Sequence, residues 1–261
     1  WWTPVNHTAL DSTDTNLYAW LPANSTVVLG PIDPTITAPT GKGTLTYNGS
    51  AQTLATVGST DGGTMKYAVT TSTSTPADSA FKTTIDKKTD AKTYYVWYKV
   101  FGDGVKYNST TAKYVKVVIK EAAPTLNTAP TAKTLTYSGS AQALVNAGTA
   151  TNGVLWYAVT TTNTAPAASE YAKTIPSMTD AGTYYVWYKV IGNTNYSDIA
   201  AKSVTVTIAK AASSVTKAPT AANKTYSGSA QVIANTGTGT GGTLKYAVTT
   251  TTTAPADSAY K

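Results

Sequence analysis

Cysteine and arginine are both absent from this chain of 261 residues. Without cysteine there is no disulfide framework, and no thiol is available as a nucleophile or a metal ligand. Without arginine, the guanidinium fork that reads guanine or grips phosphate is missing. The formal net charge of +7 therefore comes from lysines alone. It predicts generic attraction to anionic polymers and no specific nucleic-acid partner.

Histidine and glutamate are also scarce, since His7 is the only histidine and Glu121 and Glu170 are the only glutamates. A serine triad needs a histidine beside its nucleophile, and glycoside cleavage needs paired carboxylates. Single acids in glycine turns, such as Asp61 and Asp103, fall short of the roughly six to eight oxygen ligands that calcium takes. We therefore expect no catalytic residues, no metal site, no cofactor and no enzymatic activity.

Long apolar runs are missing as well, which predicts that no segment spans a membrane. No signal peptide precedes Trp1, so we expect either that a targeting segment has been removed or that this sequence starts inside a longer chain. An exterior location without cysteine suits a prokaryotic or viral source.

What the chain does have is an internal repeat of about ninety residues. Tyr47, Tyr137 and Tyr226 follow one another at spacings of 90 and 89, each inside a Thr-Tyr-(Asn/Ser)-Gly-Ser-Ala-Gln stretch. A fixed period of this length is typical of tandem modules. The predicted organisation is a non-repeat N-terminal anchor or end of a preceding domain, followed by three repeats, the last of them incomplete, with the boundaries 1–36, 37–122, 123–212 and 213–261.

Apolar and polar residues alternate with a period of two within each repeat. Leu155, Tyr157 and Val159 illustrate one such strand, and Leu244, Tyr246 and Val248 predict the same strand in the third repeat. Glycine-containing turns separate these stretches. About seven short strands in some ninety residues predict an all-β fold of tandem immunoglobulin-like antiparallel β-sandwiches.

The stretch Asp180-Ala-Gly-Thr-Tyr-Tyr-Val186 resembles the lead into strand F of immunoglobulin domains, where a corner tyrosine precedes a core cysteine. The first repeat has the equivalent stretch from Asp90 to Val96. The resemblance makes Tyr184 and Tyr94 the corner tyrosines, next to Asp180 and Asp90, and places valine at the cysteine position.

Taken together, residues 37–261 resemble the bacterial immunoglobulin-like (Big-type) repeats of Gram-positive surface proteins, which are also appended to phage virion proteins. The motifs that carry the resemblance are Leu135-Thr-Tyr-Ser-Gly-Ser-Ala-Gln142, Leu155-Trp-Tyr-Ala-Val159 and Ala181-Gly-Thr-Tyr-Tyr-Val-Trp-Tyr-Lys-Val190. The resemblance implies spacers and adhesion stalks, and it brings no catalytic residues.

Strand parity also predicts a candidate binding surface. If Tyr184 and Val186 face the core, the side chains that alternate with them along the strand face outward and form an aromatic stripe. Flat aromatic rings of this kind can stack on sugars. The candidate glycan-contact aromatics are Tyr95, Trp97, Trp156, Tyr185 and Trp187. The competing interpretation is that Thr and Lys side chains of the neighbouring strand cover these rings.

Three tryptophans, Trp1, Trp2 and Trp20, fall in the non-repeat segment and are candidate anchor or assembly residues. Tyr260 aligns with Tyr171, so the third repeat stops before its counterparts of the last two strands; we expect disorder, a longer chain, or completion by another subunit.

The predicted function is a non-enzymatic structural or adhesion protein whose repeats project from a bacterial surface or a phage particle and make weak host or glycan contacts. Its partners would be cell-surface or virion structural proteins and glycans. The alternatives are a self-assembling subunit, as a homo-oligomer forming a virion decoration or filament, and a carbohydrate-binding module, which requires Trp97 and Trp187 to be open to solvent.

Overall fold

The structure is a computed structural model, and it describes residues 30–261. The candidate anchor residues Trp1, Trp2 and Trp20 and the lone His7 lie outside the described residues. The chain divides into two compact units, one made of Trp1–Ala123 with Asn193–Ser197 and one made of Pro124–Gly192 with Asp198–Lys261. In the described residues the only helical segments are three short 3-10 turns, at Asp78–Ala80, Ala168–Glu170 and Asp257–Ala259.

The first unit contains one four-stranded sheet and two short strand pairs. Its strands are β1 (Ile36–Thr37), β2 (Thr40–Gly41), β3 (Leu45–Thr46), β4 (Ala55–Thr56), β5 (Ser59–Thr60), β6 (Thr64–Thr70), β7 (Thr93–Phe101) and β8 (Lys113–Lys120). The four-stranded sheet has the order β3-β8-β7-β6, and β1-β5 and β2-β4 form the pairs. All pairings are antiparallel except β3 with β8, which is parallel.

The second unit repeats this plan. Its strands up to the end of the second repeat are β9 (Thr125–Thr128), β10 (Thr131–Ala132), β11 (Leu135–Thr136), β12 (Gln142–Ala143), β13 (Val145–Asn146), β14 (Thr149–Thr151), β15 (Gly153–Thr160), β16 (Ser177–Met178), β17 (Gly182–Gly192) and β18 (Ile199–Ala209). The four-stranded sheet has the order β11-β18-β17-β15, and β11 again pairs in parallel with β18. The pairs are β10-β13, β12-β16 and β14-β9.

The turns between strands follow from glycine at positions with positive φ. Gly49 and Gly139 have φ of 79° and 75°, a region that side chains with a Cβ rarely adopt. Gly49 lies between β3 and β4, and Gly139 lies between β11 and β12. The Asn-Gly and Ser-Gly motifs therefore form the turns that the sequence predicts.

Equivalent apolar side chains build both cores. In the first unit Leu54, Val96, Val117 and Ile119 are at most 2% exposed, and the same holds in the second unit for Leu144, Val186, Val206 and Ile208. In each set, one residue comes from a short edge segment and three come from the two central strands of the four-stranded sheet. Burying these faces supplies the main stabilisation of each sandwich. The all-β, immunoglobulin-like class expected from the alternation is confirmed.

The third repeat departs from the sequence prediction. Residues 213–261 contain β19 (Ser214–Lys217), β20 (Thr220–Ala221), β21 (Ala234–Asn235) and β22 (Thr238–Thr240), in the pairs β19-β22 and β20-β21. The strand predicted at Leu244, Tyr246 and Val248 does not form, and Val248 is 76% exposed. The physical reason is that β15 is held by eight residue pairs with β17, whereas this sequence holds no counterpart of β17 in the third repeat.

Candidate binding face

The central strand of each four-stranded sheet is positioned by a tyrosine at its start. The phenolic O–H of Tyr184 donates to the backbone carbonyl of Asp180 at 2.9 Å, and that of Tyr94 donates to the carbonyl of Asp90 at 3.0 Å. Burial raises the pKa of the Tyr94 phenol, with a further contribution from the negative charge of Asp90. The acceptor is the main chain and not the carboxylate, so both aspartates keep their side chains for other partners.

Alternation along β17 separates a core face from an outer face. Tyr184, Val186, Tyr188 and Val190 are buried, and the residues between them are only partly buried. We call the surface opposite the core the outer face; in the second repeat it carries Trp156 and Thr160 on β15, Tyr185, Trp187 and Lys189 on β17, and Ser203 on β18. The parity predicted from the sequence therefore holds for this strand.

In the first repeat the tryptophan of the outer face is covered. Trp97 is 3% exposed, because the ring of Tyr114 on β8 packs against it with centroids 4.9 Å apart. The same Tyr114 ring lies edge-on to Tyr95 at 5.1 Å, and the indole N–H of Trp97 donates to Thr70 Oγ1 at 2.9 Å. The expectation that Trp97 is open to solvent is therefore wrong, because a cross-strand tyrosine covers the ring.

In the second repeat the outer face is more open. The indole N–H of Trp187 donates to Thr160 Oγ1 at 3.0 Å, as in the first repeat. Its cross-strand neighbour on β18, however, is Ser203, where the first repeat has Tyr114 opposite Trp97. A serine is too short to cover an indole, and Trp187 stays partly exposed.

Lysines border the outer face differently in the two repeats. In the first, Lys99 Nζ forms an ion pair with Asp78 at 2.7 Å and lies over the ring of Phe101 at 4.5 Å. The second repeat has Ala168 in place of Asp78. There Lys189 lies over the ring of Tyr171 at 4.3 Å.

Trp156, which replaces Lys66 of the first repeat, is partly exposed, and Lys173 Nζ lies 5.6 Å from its ring centre. Burial raises the pKa of the neighbouring Tyr171, and the charge of Glu170 adds to this. Trp156 is paired with Lys189 across the strands. The sequence alone did not indicate that Lys173 lies near the Trp156 ring or that Ser203 lies opposite Trp187, because both contacts depend on how distant segments pair.

An open cleft lies at the C-terminal end of β15, and it is lined by Val159, Thr160, Thr161, Thr162, Met178 and Tyr184. The Thr160 hydroxyl donates to the Thr162 carbonyl at 2.6 Å and accepts the indole N–H of Trp187. The second repeat thus places partly exposed rings, lysine ammonium groups and hydroxyls on adjoining surfaces.

The isolated aspartates of the turns accept hydrogen bonds from backbone N–H groups. Asp103 Oδ1 accepts the N–H groups of Val105, Lys106 and Tyr107 at 3.0, 2.8 and 3.0 Å, and these bonds hold the pKa of its carboxyl below the usual value. The pKa of the Asp61 carboxyl is also held below the usual value, by a hydrogen bond from the Thr35 side chain and by the Thr35 backbone N–H, which donates to Asp61 Oδ1 at 2.8 Å. Within residues 30–261 no three His, Asp or Glu side chains are grouped as metal ligands.

The Asp103 loop leads to an expected pH dependence. A depressed pKa in the folded state means that the ionised carboxylate stabilises the loop above the unfolded value, and that this contribution is lost as pH falls through the folded pKa. We expect an NMR titration to place the Asp103 pKa below 3.8, with the Val105 and Tyr107 amide shifts following the same curve. In Asp103→Asn those amide shifts should not titrate there. A midpoint at or above 3.8 would contradict the geometry.

None of the described helices is long and apolar enough to cross a bilayer. A scan of protein-family models gives no match, and a search of curated proteins gives none either. Among solved structures, the chain is similar to the fibronectin(III)-like modules of CbhA from Clostridium thermocellum, with 14% identity over 68% of this chain and 94% of that chain and a TM-score of 0.25. At that TM-score the likeness carries no weight. The strands and sheets themselves define the class, an all-β protein of tandem immunoglobulin-like sandwiches.

Proposed function

We propose that this chain is a non-enzymatic structural or adhesion protein of the Big-type kind, whose repeats project from a bacterial surface or a phage particle. In this proposal the repeats make weak contacts with glycans of a host or neighbouring surface. The observation that carries it is the outer face of the second repeat, where Ser203 leaves Trp187 partly exposed and Trp156 is partly exposed as well.

The chemistry of this face suits a sugar ring. A flat indole stacks on the apolar side of a pyranose, while hydroxyl and ammonium groups at its border bind the sugar hydroxyls. Trp187 supplies the ring, Ser203 supplies a hydroxyl, and Lys189 supplies the ammonium group. A shallow face of this kind binds weakly by itself, and repeated presentation along a surface raises the overall avidity.

The difference between the repeats supplies a test with matched variants. We expect Trp187→Ala and Ser203→Tyr both to abolish retention in affinity electrophoresis through gels containing mucin, xylan or soluble peptidoglycan fragments. Ser203→Tyr keeps the tryptophan and covers it as Tyr114 covers Trp97. The reciprocal Tyr114→Ser should uncover Trp97 and increase retention.

Each variant is first checked for folding by its near-ultraviolet circular dichroism. If the wild-type chain is retained by one of these polymers and Ser203→Tyr leaves the retention unchanged, the outer face is not the contact surface. If no gel retains the wild-type chain, glycan contact through this face is overturned for these polymer classes.

A further inference from the structure

The first unit contains a small recognition contact between a loop and a sandwich corner. The loop is Asn193–Ser197, which belongs to this unit. The side chain of Asn195 accepts the backbone N–H of Ala91 at 2.8 Å and donates to Asp90 Oδ1 at 3.2 Å. The Asn195 side-chain amide thus hydrogen-bonds both an N–H donor and a carboxylate acceptor, which belong to residues adjacent in the sequence.

The neighbouring residue of the loop adds an aromatic contact. Tyr196 packs edge-on against Tyr47, with ring centroids 5.4 Å apart and planes at 79°. The main chain completes the contact, since Ala122 N–H donates to Asn195 O at 3.0 Å and Ser197 N–H donates to Ala122 O at 2.9 Å. Tyr47 is partly buried as a result. The loop motif Asn-Tyr therefore fits a receptor made of a tyrosine, an Asp-Ala corner and a linker alanine.

The second repeat carries the same receptor groups at the equivalent positions, Tyr137, Asp180, Ala181 and Ala211. The local backbone is held in the same way in both repeats, because Tyr94 and Tyr184 each donate to the carbonyl of the corner aspartate. Tyr137 is 43% exposed. Within residues 30–261 nothing hydrogen-bonds the Asp180 carboxylate, whereas Asp90 receives the Asn195 amide.

We propose that Tyr137, Asp180, Ala181 and Ala211 form a docking surface for a further immunoglobulin-like repeat, which binds through a loop with asparagine followed by tyrosine. The asparagine amide bridges the Asp180 carboxylate and the Ala181 N–H, and the tyrosine ring packs on Tyr137. The occupied copy in the first unit shows both the geometry and the chemistry of the ligand. The inference is independent of glycan binding, since these residues are distinct from the outer face.

The test supplies the loop within its own strands. Tyr260 and Lys261 correspond to Tyr171 and Ala172, because each pair follows a 3-10 turn. Ala172 exchanges backbone hydrogen bonds with Tyr157, and Lys261 exchanges the same bonds with Tyr246. A chain extended after Lys261 by a copy of residues 173–209 therefore carries the Asn-Tyr loop of a completed third repeat. We expect the Ala181 amide to exchange at least about tenfold more slowly in the extended chain than in the original one, because a hydrogen bond in the folded state protects an amide from exchange.

Two variants separate docking from folding. N195A in the appended copy should restore fast exchange at Ala181 while the amide of Ala247, which corresponds to Ala158 of β15, stays protected, and Asp180→Ala should do the same. Asp90→Ala, at the occupied corner of the first unit, should leave the Ala181 amide protected. If the Ala247 amide becomes protected in the extended chain and the Ala181 amide does not, the docking surface is overturned.

A second probe covers the case in which the extension does not fold. A cyclic peptide of residues 191–199 is titrated into the original chain to about 10 mM, the range in which isolated loops bind weakly. Docking predicts saturable shifts at Ala181 and in the Tyr137 ring that Asp180→Ala removes. With the third repeat unfolded, the absence of these shifts overturns the proposal.

Discussion

Replacing Leu144 with alanine is expected to lower the free energy of unfolding of the second unit by about 3 kcal/mol, a value within the range for buried leucines. Leu144 is fully buried and packs in the cluster that contains Val186, Val206 and Ile208. Truncation removes apolar contacts and leaves a cavity. The surrounding strands of the four-stranded sheet are hydrogen-bonded on both sides, which limits how far they can move to fill it.

Leu54 occupies the equivalent position of the first unit and is also fully buried. Leu54→Ala is therefore the matched control, expected to cost a similar amount in the other unit. Hydrogen exchange followed by mass spectrometry in increasing urea measures the stability of each unit separately, since β17 and β18 report on the second unit and β7 and β8 on the first. Equal weakening of both units by either variant would mean that they unfold as one cooperative body and would contradict two separate cores.

The core could be predicted from the sequence because it depends on local information. Alternation with a period of two places Tyr184, Val186 and Val190 on one face, whatever the neighbouring strands are. The corner tyrosine is equally local, since its acceptor lies only four residues upstream. Gly182 does not have a positive φ, so its backbone conformation does not require glycine, and the first repeat has Lys92 at the equivalent position.

The candidate face could be predicted only in part, because covering a ring depends on cross-strand register. Trp97 and Trp187 lie in nearly identical sequence segments, and their exposure differs because Tyr114 faces one and Ser203 faces the other. Those partners are 16 or 17 residues away along the chain. A single strand therefore predicts which side a tryptophan faces, and the paired strand decides whether it is accessible.

Extending the chain after Lys261 with the copy of residues 173–209 is expected to convert residues 244–248 into a strand. In the second repeat the equivalent segment lies in β15, which pairs along its whole length with β17. The appended copy supplies counterparts of β17 and β18, so both the hydrogen-bond partners and the facing core residues become available. Tyr246, now 36% exposed, should reach the burial of Tyr157, which is 5% exposed.

The expected gain is large, because fully burying an apolar side chain contributes about 1.5–3 kcal/mol, and Leu244 and Tyr246 take the positions of Leu155 and Tyr157, which are 8% and 5% exposed. Val248 becomes partly buried, as Val159 is. The measurement is hydrogen exchange at the amides of residues 244–248, with tyrosine fluorescence as a second signal. The same extension carrying V186D in the appended copy is the control, since a buried unpaired carboxylate prevents the sandwich from closing. Fast exchange at residues 244–248 in the extended chain would show that the partner strands are insufficient to fold the third repeat.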